Sequence, residues 1–146
     1  MTSQPIRALI VDDSASVRQV LSAILNDDPG IEVMGTAADV LAAVRRLQSE
    51  LPDVMILDIE MPGMDGLTFL RKIMAQRPIP VIICSTLTEA GSRALFDALE
   101  AGAVDVLPKP RIDTRNALIE TADRLRHSVR AAAQARLRPR LARPPI

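Results

Sequence analysis

Three aspartates in this chain come directly after short apolar segments, a position where a carboxylate can do chemistry. Asp12 and Asp13 follow the mainly apolar run 7–11, and Asp58 follows the run 54–57. Apolar runs of this length, bounded by turn residues, indicate buried strands. Each carboxylate is therefore expected at the rim of a core, where it either caps a loop or acts as a nucleophile or metal ligand.

A hydroxyl and an ammonium group stand in equivalent places. Ser85 follows the apolar run 81–84, and Lys109, held between two prolines, follows the run 104–107. Only two of the 18 basic residues are lysine, so a lysine here is notable. Lysine supplies a compact positive charge that suits a phosphoryl oxygen. The Ser85 hydroxyl is expected to turn towards such a group once it is attached, as part of a switch.

The segments between these groups have the apolar spacing of helices, so strands and helices alternate along the chain. Strands are predicted, each with a helix after it, at 7–11, 31–36, 54–57, 81–84 and 104–107. This alternation predicts an α/β fold with a five-stranded parallel sheet and five helices covering both faces. The periodicity does not fix the strand order. Because parallel strands present their carboxyl ends at one edge, the five polar residues are expected in one cleft.

Local signals add predictions at the ends of these elements. Ser14 is expected to cap the first helix, and Asp113 or Thr114 the last one. The segment 63–66 is predicted as a loop because it is rich in glycine. In the last helix, the residues expected on the buried face recur at helical spacing: Leu118, Ala122, Leu125 and Val129.

Three carboxylates at one rim repel one another, so the cluster needs a positive charge. A divalent cation meets that need, and Mg²⁺ tolerates a few carboxylates together with waters and phosphate oxygens. An aspartate beside such an ion can attack phosphorus and form an aspartyl phosphate. Taken singly, each residue is more often a cap or a turn residue than a functional group. Their joint spacing along the βα pattern favours a phosphoacceptor site at Asp58.

Composition and charge narrow the class of protein. The 146 residues, 48% of them apolar, fit one domain, expected over 1–125, with the end of the last helix and a basic Arg/Ala/Pro linker or tail over 126–146. Residues 1–123 hold all 18 acids and 11 basic residues, so the body is acidic. A single cysteine, Cys84, argues against a disulfide framework or a multi-cysteine metal site. Because neither a membrane-length apolar run nor a signal-peptide pattern occurs, a cytoplasmic protein without membrane insertion is expected.

The motifs at these strand ends resemble those of the receiver domains of two-component response regulators, over about residues 6–126. The matching segments are Ile-Val-Asp-Asp-Ser at 10–14, Leu-Asp-Ile-Glu-Met-Pro-Gly-Met-Asp-Gly at 57–66, Ser85, and Lys109-Pro110. The resemblance implies a flavodoxin-like (CheY-like) three-layer sandwich with strand order 2-1-3-4-5. It also implies a histidine kinase as phosphodonor and an output surface on helix four, strand five and helix five.

The same resemblance assigns roles to single residues. The implied ligands of Mg²⁺ are Asp12, Asp13, Asp58 and the backbone carbonyl of Glu60. Asp58 would be phosphorylated, and Ser85 and Lys109 would contact the phosphoryl group. The Lys109–Pro110 peptide bond is expected to be cis. Val106 stands where many receivers have a Phe or Tyr that moves between exposed and buried positions, so movement through Ser85 is expected to carry more of the signal.

A narrower resemblance links the chain to the receivers of the chemotaxis protein-glutamate methylesterase family, CheB. It rests on the segments 11–18, 58–70 and 98–110 and on Cys-Ser-Thr-Leu-Thr-Glu-Ala-Gly-Ser at 84–92. In that family the receiver inhibits a C-terminal hydrolase, which has a Ser/His/Asp triad, until the receiver is phosphorylated. The only histidine here is His127, far from any nucleophile turn, so this chain is not expected to form a triad. A chemotaxis kinase and a methylesterase effector outside this chain are implied.

Alternative functions are weaker or open. A natural single-domain receiver would carry the same motifs. Phosphatases that form an aspartyl phosphate usually place a second aspartate two residues after the nucleophile, where this chain has Glu60. Nucleic-acid binding by the arginine-rich tail is not expected, because the tail has no aromatic residue to stack on bases. The chain itself is expected to catalyse nothing beyond its own phosphorylation and dephosphorylation.

Overall fold

The computed structural model describes residues 4–61, 64–86, 89–111 and 113–137. The strands are β1 Ile6–Val11, β2 Ile31–Ala37, β3 Val54–Leu57, β4 Glu60–Met61, β5 Met64–Asp65, β6 Val81–Ser85 and β7 Asp105–Pro108. The helices are α1 Ala15–Asn26, α2 Val40–Ser49, α3 Gly66–Gln76, α4 Glu89–Ala101 and α5 Arg115–Leu137.

The five longer strands form one parallel sheet in the order β2-β1-β3-β6-β7. Numbered among themselves, they follow the order 2-1-3-4-5, so the expected flavodoxin-like topology is confirmed. Parallel neighbours need crossover connections, which the first four helices supply. The winding direction changes between β1 and β3, and ligands of such sheets bind beyond the carboxyl ends of the strands at this switch point.

A second, two-stranded sheet follows β3 in the chain. β4 and β5 pair antiparallel, with Glu60 opposite Asp65 and Met61 opposite Met64. The prediction of a loop at 63–66 is therefore wrong for Met64 and Asp65 and also for Gly66, which begins α3, while Gly63 lies outside the described residues. Strands of two residues are too short to have a hydrophobic period, so the sequence pattern could not reveal them.

The main sheet separates two apolar cores, because successive side chains of a strand point to opposite faces. One core packs under α2, α3 and α4 and includes Leu9, Val11, Met55, Leu57 and Leu70. The other packs under α1 and α5 and includes Ala8, Ile10, Leu25, Ile56 and Val129. The central strands are thus covered on both faces, which fixes the backbone at the residues that follow them.

The helix caps agree with the local signals. Ser14 Oγ accepts a hydrogen bond from the backbone N–H of Val17 at 3.3 Å, and Thr114 Oγ1 accepts one from Ala117 at 3.0 Å. Of the two candidates for the last cap, Thr114 is the one in place. α4 is followed by Gly102, whose φ of 120° is a conformation that glycine adopts without strain.

The last helix is longer than the packing pattern suggested. α5 has 23 residues and runs through the expected domain boundary at 125 without a break. Ala132 and Ala133 near its end are buried with Ala122, Leu125 and Val129. Leu118 is 37% exposed, so its assignment to the buried face is wrong, because the core contacts of α5 begin only at Ala122. No helix in the described part of the chain is both long and apolar enough to cross a membrane.

Two arginines tie α5 to the turn between α1 and β2, and we call these four residues, Asp27, Asp28, Arg126 and Arg130, the α5 anchor. Arg126 donates to the carbonyl of Ile24 and to Asp27 Oδ2, both at 3.2 Å. Arg130 pairs with Asp28 Oδ2, while Asp28 Oδ1 accepts the N–H of Gly30 at 2.8 Å. These partners are about one hundred residues apart in the chain, so the anchor is tertiary structure.

Candidate functional site

The ends of four neighbouring strands bring the predicted polar residues to one edge of the sheet. β1 and β3 pair in register up to Val11 and Leu57, and the next residues are Asp12 and Asp58. β6 and β7 pair up to Ser85 and Pro108, after which comes Lys109. We call Asp12, Asp58, Ser85 and Lys109 together the aspartate edge.

Asp12 is 1% exposed, and its carboxylate is held on both oxygens. Oδ1 accepts the backbone N–H of Ser14 at 2.9 Å, and Oδ2 pairs with the ammonium of Lys109. Its own N–H donates to the carbonyl of Ala37 at 3.0 Å, which continues the β1–β2 pairing by one residue. The backbone and the side chain of Asp12 are therefore both fixed.

Arg18 holds the other backbone group of Asp12. Its Nη1 donates to the Asp12 carbonyl at 2.6 Å. Arg18 was not among the residues predicted for the site, although it stands six residues after Asp12 in the helix that Ser14 caps. A cation in the first turn of a helix has many alternative partners, so spacing alone does not point to this contact.

Asp58 is 2% exposed and lies directly beyond β3. Oδ1 accepts the backbone N–H of Glu60 at 2.9 Å, and Oδ2 accepts a hydrogen bond from Lys109 at 3.1 Å. Burial raises the pKa of the Asp58 carboxyl above its ordinary value, although the Glu60 N–H and the Lys109 charge act in the opposite direction. Burial outweighs the ion pair because one ammonium is shared between two carboxylates.

Lys109 joins the two aspartates. Burial alone would lower the pKa of its ammonium, but the hydrogen bond and charge of Asp12, together with those of Asp58, outweigh burial and raise it. Its backbone N–H donates to the Ser85 carbonyl at 3.2 Å, which places the loop after β7 against the end of β6. The lysine is therefore a fixed positive charge between two buried carboxylates.

The Lys109–Pro110 peptide bond is trans, since none of the described peptide bonds is cis. The expectation of a cis bond is wrong. Before proline the trans form is preferred by only about 0.5–1 kcal/mol, so neighbouring contacts decide the isomer and the local sequence does not.

Ser85 is completely buried, and its hydroxyl has no hydrogen-bond partner among the described residues. Buried hydroxyls are nearly always paired, so one without a partner marks a place where a further group can bind. The preceding residue, Cys84, is 2% exposed and donates weakly to the Pro108 carbonyl at 3.5 Å. Burial raises the pKa of the Cys84 thiol to about 12.

The donor set suits a hard cation. Carboxylate oxygens of Asp12, Asp13 and Asp58 all lie within 4.8 Å of one another, and Asp13 is exposed to solvent while the other two are buried. Three carboxylates without imidazole or thiolate are ligands that Mg²⁺ accepts, with room left for water on the exposed side. The Glu60 side chain is exposed and its N–H is bound to Asp58, and the metal role of its carbonyl stays a prediction.

Gly66 is a further residue that the sequence analysis did not assign to the site. A Cβ at this position would lie 2.6 Å from Ile59 Cα and 3.1 Å from the Asp58 carbonyl oxygen. The start of α3 therefore packs directly on the backbone that carries Asp58. A glycine in a glycine-rich segment is too common a signal to have indicated this contact.

Comparison with known proteins identifies the family. Residues 8–123 match the model of the response regulator receiver domain. A protein-glutamate methylesterase/protein-glutamine glutaminase of group 3 operon from Bradyrhizobium diazoefficiens is 71% identical over 143 residues. The protein of the same name from Rhodopseudomonas palustris is 68% identical over 143 residues. Each alignment covers 98% of this chain but 39% of the relative, so the chain spans well under half of their length.

Similar solved structures are also response regulator receivers. The response regulator domain of Thermotoga maritima CheB has a TM-score of 0.78 and 40% identity, covering 90% of this chain and 98% of that one. A chain of the complex between the P1 domain of CheA3 and CheY6 from R. sphaeroides has a TM-score of 0.74 and 29% identity, covering 90% and 99%. This chain therefore belongs to the response regulator receiver domain family and is similar to the receivers of CheB-type chemotaxis response regulators.

Proposed function

We propose that this chain accepts a phosphoryl group on Asp58 from a histidine kinase of the chemotaxis type and thereby switches an effector. The observation that carries the proposal is the Lys109 ammonium, which bridges two buried carboxylates beside an unpartnered buried hydroxyl. This arrangement has too many negative charges and one too few hydrogen bonds for a purely structural role. It offers a nucleophile, a cation and a hydroxyl donor at one edge.

Asp58 is the nucleophile in this proposal. One of its oxygens attacks phosphorus, an O–P bond forms, and the P–N bond of the kinase phosphohistidine breaks. The bonding pair goes to the imidazole nitrogen. A phosphohistidine that is protonated on its other ring nitrogen leaves as neutral histidine, and an unprotonated one becomes neutral by taking up a proton from solvent. The Glu60 N–H on Oδ1 holds the carboxylate in a fixed rotation, which supports an attack along one direction.

Lys109 and Ser85 receive the transferred group. The ammonium that now contacts Asp58 Oδ2 is placed to pair with a phosphoryl oxygen on the same side. The Ser85 hydroxyl would gain a partner that it lacks among the described residues. Since Lys109 N–H bonds the Ser85 carbonyl, a movement of either residue displaces the other loop as well. Val106 on β7 is only half-buried and has no aromatic ring to exchange positions, so this pair of loops transmits the change.

Mg²⁺ fits the carboxylates of Asp12, Asp13 and Asp58, with the Glu60 carbonyl as a further ligand. When bound, it supplies positive charge that neutralises the oxygens of the transferring phosphoryl group. The chain's own contribution is to fix Asp12 through Ser14 and Arg18, so that its carboxylate is already in place. Asp13, which faces solvent, would complete the set from outside.

The effector in this proposal is a protein-glutamate methylesterase domain that belongs to a longer protein, as the names of the relatives suggest. The complex between a CheA3 P1 domain and CheY6 supports a kinase phosphotransfer domain as the donor. The chain would act in the cytoplasm. A single-domain receiver that acts on a separate partner is the alternative, and the family match supports both forms equally.

The test is phosphorylation by acetyl phosphate with MgCl₂, followed by intact mass. We expect the mass of one phosphoryl group on the wild type, and none after EDTA or in Asp58→Asn. Asp97→Asn on α4 is the matched control and should be phosphorylated like the wild type. Thermal unfolding of each variant shows that it is folded. An unmodified wild-type mass, or full modification of folded Asp58→Asn, would refute the proposal.

A further inference from the structure

A groove of about 370 Å³ lies between α2 and α3, away from the aspartate edge. Its floor is apolar and is made by Leu47, Phe69, Ile73 and Ile79, with Lys72 and Arg77 on the rim. We call these six residues the α2–α3 groove. α2 packs over β2 and α3 packs beside α4, and the groove fills the space that these two helices leave between them.

The groove is at the opposite edge of the sheet from Asp58. Apart from Val44 and Phe69, its lining comes from the C-terminal halves of α2 and α3 and from Leu51, Arg77 and Ile79, which stand between these helices and the strands β3 and β6. In an α/β sheet the helices run antiparallel to the strands, so these helix ends lie where the strands begin. A ligand here therefore does not occupy the phosphorylation site.

The charged residues of α2 and of the segment 66–80 are all basic, although the body as a whole is acidic, and the neighbouring acid Glu50 is paired with Arg7. Residues 40–49 and 66–80 contain no acid and five of the 11 basic residues found before Arg124. All five are exposed, and two of them, Lys72 and Arg77, line the groove. No described carboxylate forms an ion pair with Lys72 or Arg77.

The positive charges on the rim and the concave shape of the floor argue against three possible ligands of the groove, namely the end of this chain, a second copy of it and a membrane surface. The segment 138–146 of this chain has three arginines and no acid, so the rim would repel it. A second copy that used the same groove would bring two cationic surfaces together, since a symmetric interface joins like to like. A flat anionic surface such as a membrane would meet the cations but would leave the concave apolar floor unfilled.

We propose that the α2–α3 groove binds an acidic, amphipathic segment of a partner protein. Its apolar side chains would contact half-buried Leu47 and the small exposed parts of Phe69 and Ile73, which are each 6% exposed. Its carboxylates would face Lys72 and Arg77. Helix-in-groove recognition of this kind takes apolar anchors at helical spacing from the partner. The rim charges set the sign of the partner and its rate of association, and the floor supplies the apolar contact.

Helix α3 joins the α2–α3 groove to the backbone next to Asp58. That helix carries Phe69, Lys72 and Ile73 and begins at Gly66, which packs on the backbone of Ile59. The proposed binding does not require phosphorylation of Asp58 and is independent of the proposed function.

The test uses the full chain labelled with ¹⁵N and a synthetic helical peptide with leucine at every third or fourth position and glutamate elsewhere. We expect saturable shifts of backbone amides confined to 44–51 and 69–79. The double variant Lys72→Glu with Arg77→Glu should weaken binding roughly tenfold or more. The matched control is Arg115→Glu with Arg124→Glu on α5, which reverses two exposed charges elsewhere and should bind like the wild type. The same peptide with lysine in place of glutamate should not bind.

Several outcomes would overturn the proposal. These are the absence of saturable shifts, shifts centred on another face, equal binding of the lysine peptide, or affinity unchanged by reversal of Lys72 and Arg77. Two more measurements separate the other occupants. Sedimentation with phosphatidylglycerol vesicles that depends on Lys72 and Arg77, without peptide binding, would assign the surface to a membrane. A concentration-dependent molar mass lost in the double variant would assign it to a second copy.

Discussion

The two ends of the main sheet treat charge in different ways. At the aspartate edge, the side chains of Asp12 and Asp58 are 2% and 3% exposed and share one ammonium. At the α5 anchor, the side chains of Asp27 and Asp28 are 80% and 10% exposed, and each carboxylate has an arginine of its own. The aspartate edge thus has more buried carboxylates than cations and an unpartnered hydroxyl. The α5 anchor has one arginine for each carboxylate, and both arginines are partly exposed.

The difference separates two uses of polar groups. Paired groups near water tie elements together at little cost, as Arg126 and Arg130 do for α5. Buried carboxylates in excess cost stability and are retained where a ligand or reaction needs them. Removing a paired cation should therefore lower the free energy of unfolding, by more at the aspartate edge than at the α5 anchor. Removing the unpartnered hydroxyl of Ser85 should raise it.

The largest effect is expected from Lys109→Met. Two buried carboxylates would lose their counter-charge, so the free energy of unfolding in EDTA should fall by about 3 kcal/mol. A carboxyl with a raised pKa binds more protons in the folded state, so the deficit should shrink as pH falls from 7 towards 5. MgCl₂ should restore part of the loss, because binding to the native state stabilises it.

Urea unfolding at several pH values measures this deficit. Lys72→Met is the matched control, since it removes the only other lysine, which is exposed and forms no ion pair among the described residues. Equal unfolding midpoints for the two lysine variants would contradict the view that Lys109 offsets buried charge.

Ser85→Ala should raise the free energy of unfolding by about 1 kcal/mol, because it removes a buried hydroxyl without a partner. Ser128→Ala is the matched control. That serine is also buried, but its Oγ donates to Asp105 Oδ2 at 2.6 Å, so its loss should lower stability by about 1 kcal/mol. Thermal unfolding of both variants gives the two signs. If both variants unfolded at a lower temperature than the wild type, the Ser85 hydroxyl would have a hydrogen-bond partner and the prediction would be wrong.

The smallest effect is expected at the anchor. Arg130→Met should cost less than about 1 kcal/mol at pH 7, because the arginine is partly exposed. The pKa of Asp28 is lowered, first by the Gly30 N–H and then by Arg130. A lowered pKa gives stability above the ordinary carboxyl value of 3.8 that is lost as pH falls through the folded-state pKa. The gap between wild type and variant should therefore close in acid.

Acid titration of unfolding in the two proteins measures this gap. Arg124→Met removes an exposed arginine of the same helix that has no ion pair among the described residues, and it should leave the pH profile unchanged. A gap that persists in acid would mean that Arg130 acts through packing alone.

Much of the aspartate edge was predictable from the sequence. Strands β1, β3, β6 and β7 are apolar runs that end at polar residues, and burial on both faces makes such runs easy to recognise. The parallel pairing then places Asp12, Asp58, Ser85 and Lys109 together, as expected. Lys109 on the aspartates was not foreseen, because the expectation assigned its charge to a phosphoryl group.

The anchor was not predictable. Its partners lie about one hundred residues apart, and neither half has a motif. Ala132 and Ala133 are buried through close helix packing, and alanine gives no sign of burial because it is as common on exposed helix faces. The length of α5, which ends at Leu137, therefore depends on tertiary contacts that cannot be predicted from an Arg/Ala-rich sequence.

The burial of Cys84 has a practical consequence for spectroscopy. It is the chain's only cysteine, and with a thiol pKa of about 12 and 2% exposure it should stay unreactive towards maleimides at neutral pH. A cysteine introduced at exposed Gln48 would then be the one reactive thiol. A fluorophore or spin label can thus be placed beside the α2–α3 groove while the native side chain behind Ser85 is left in place.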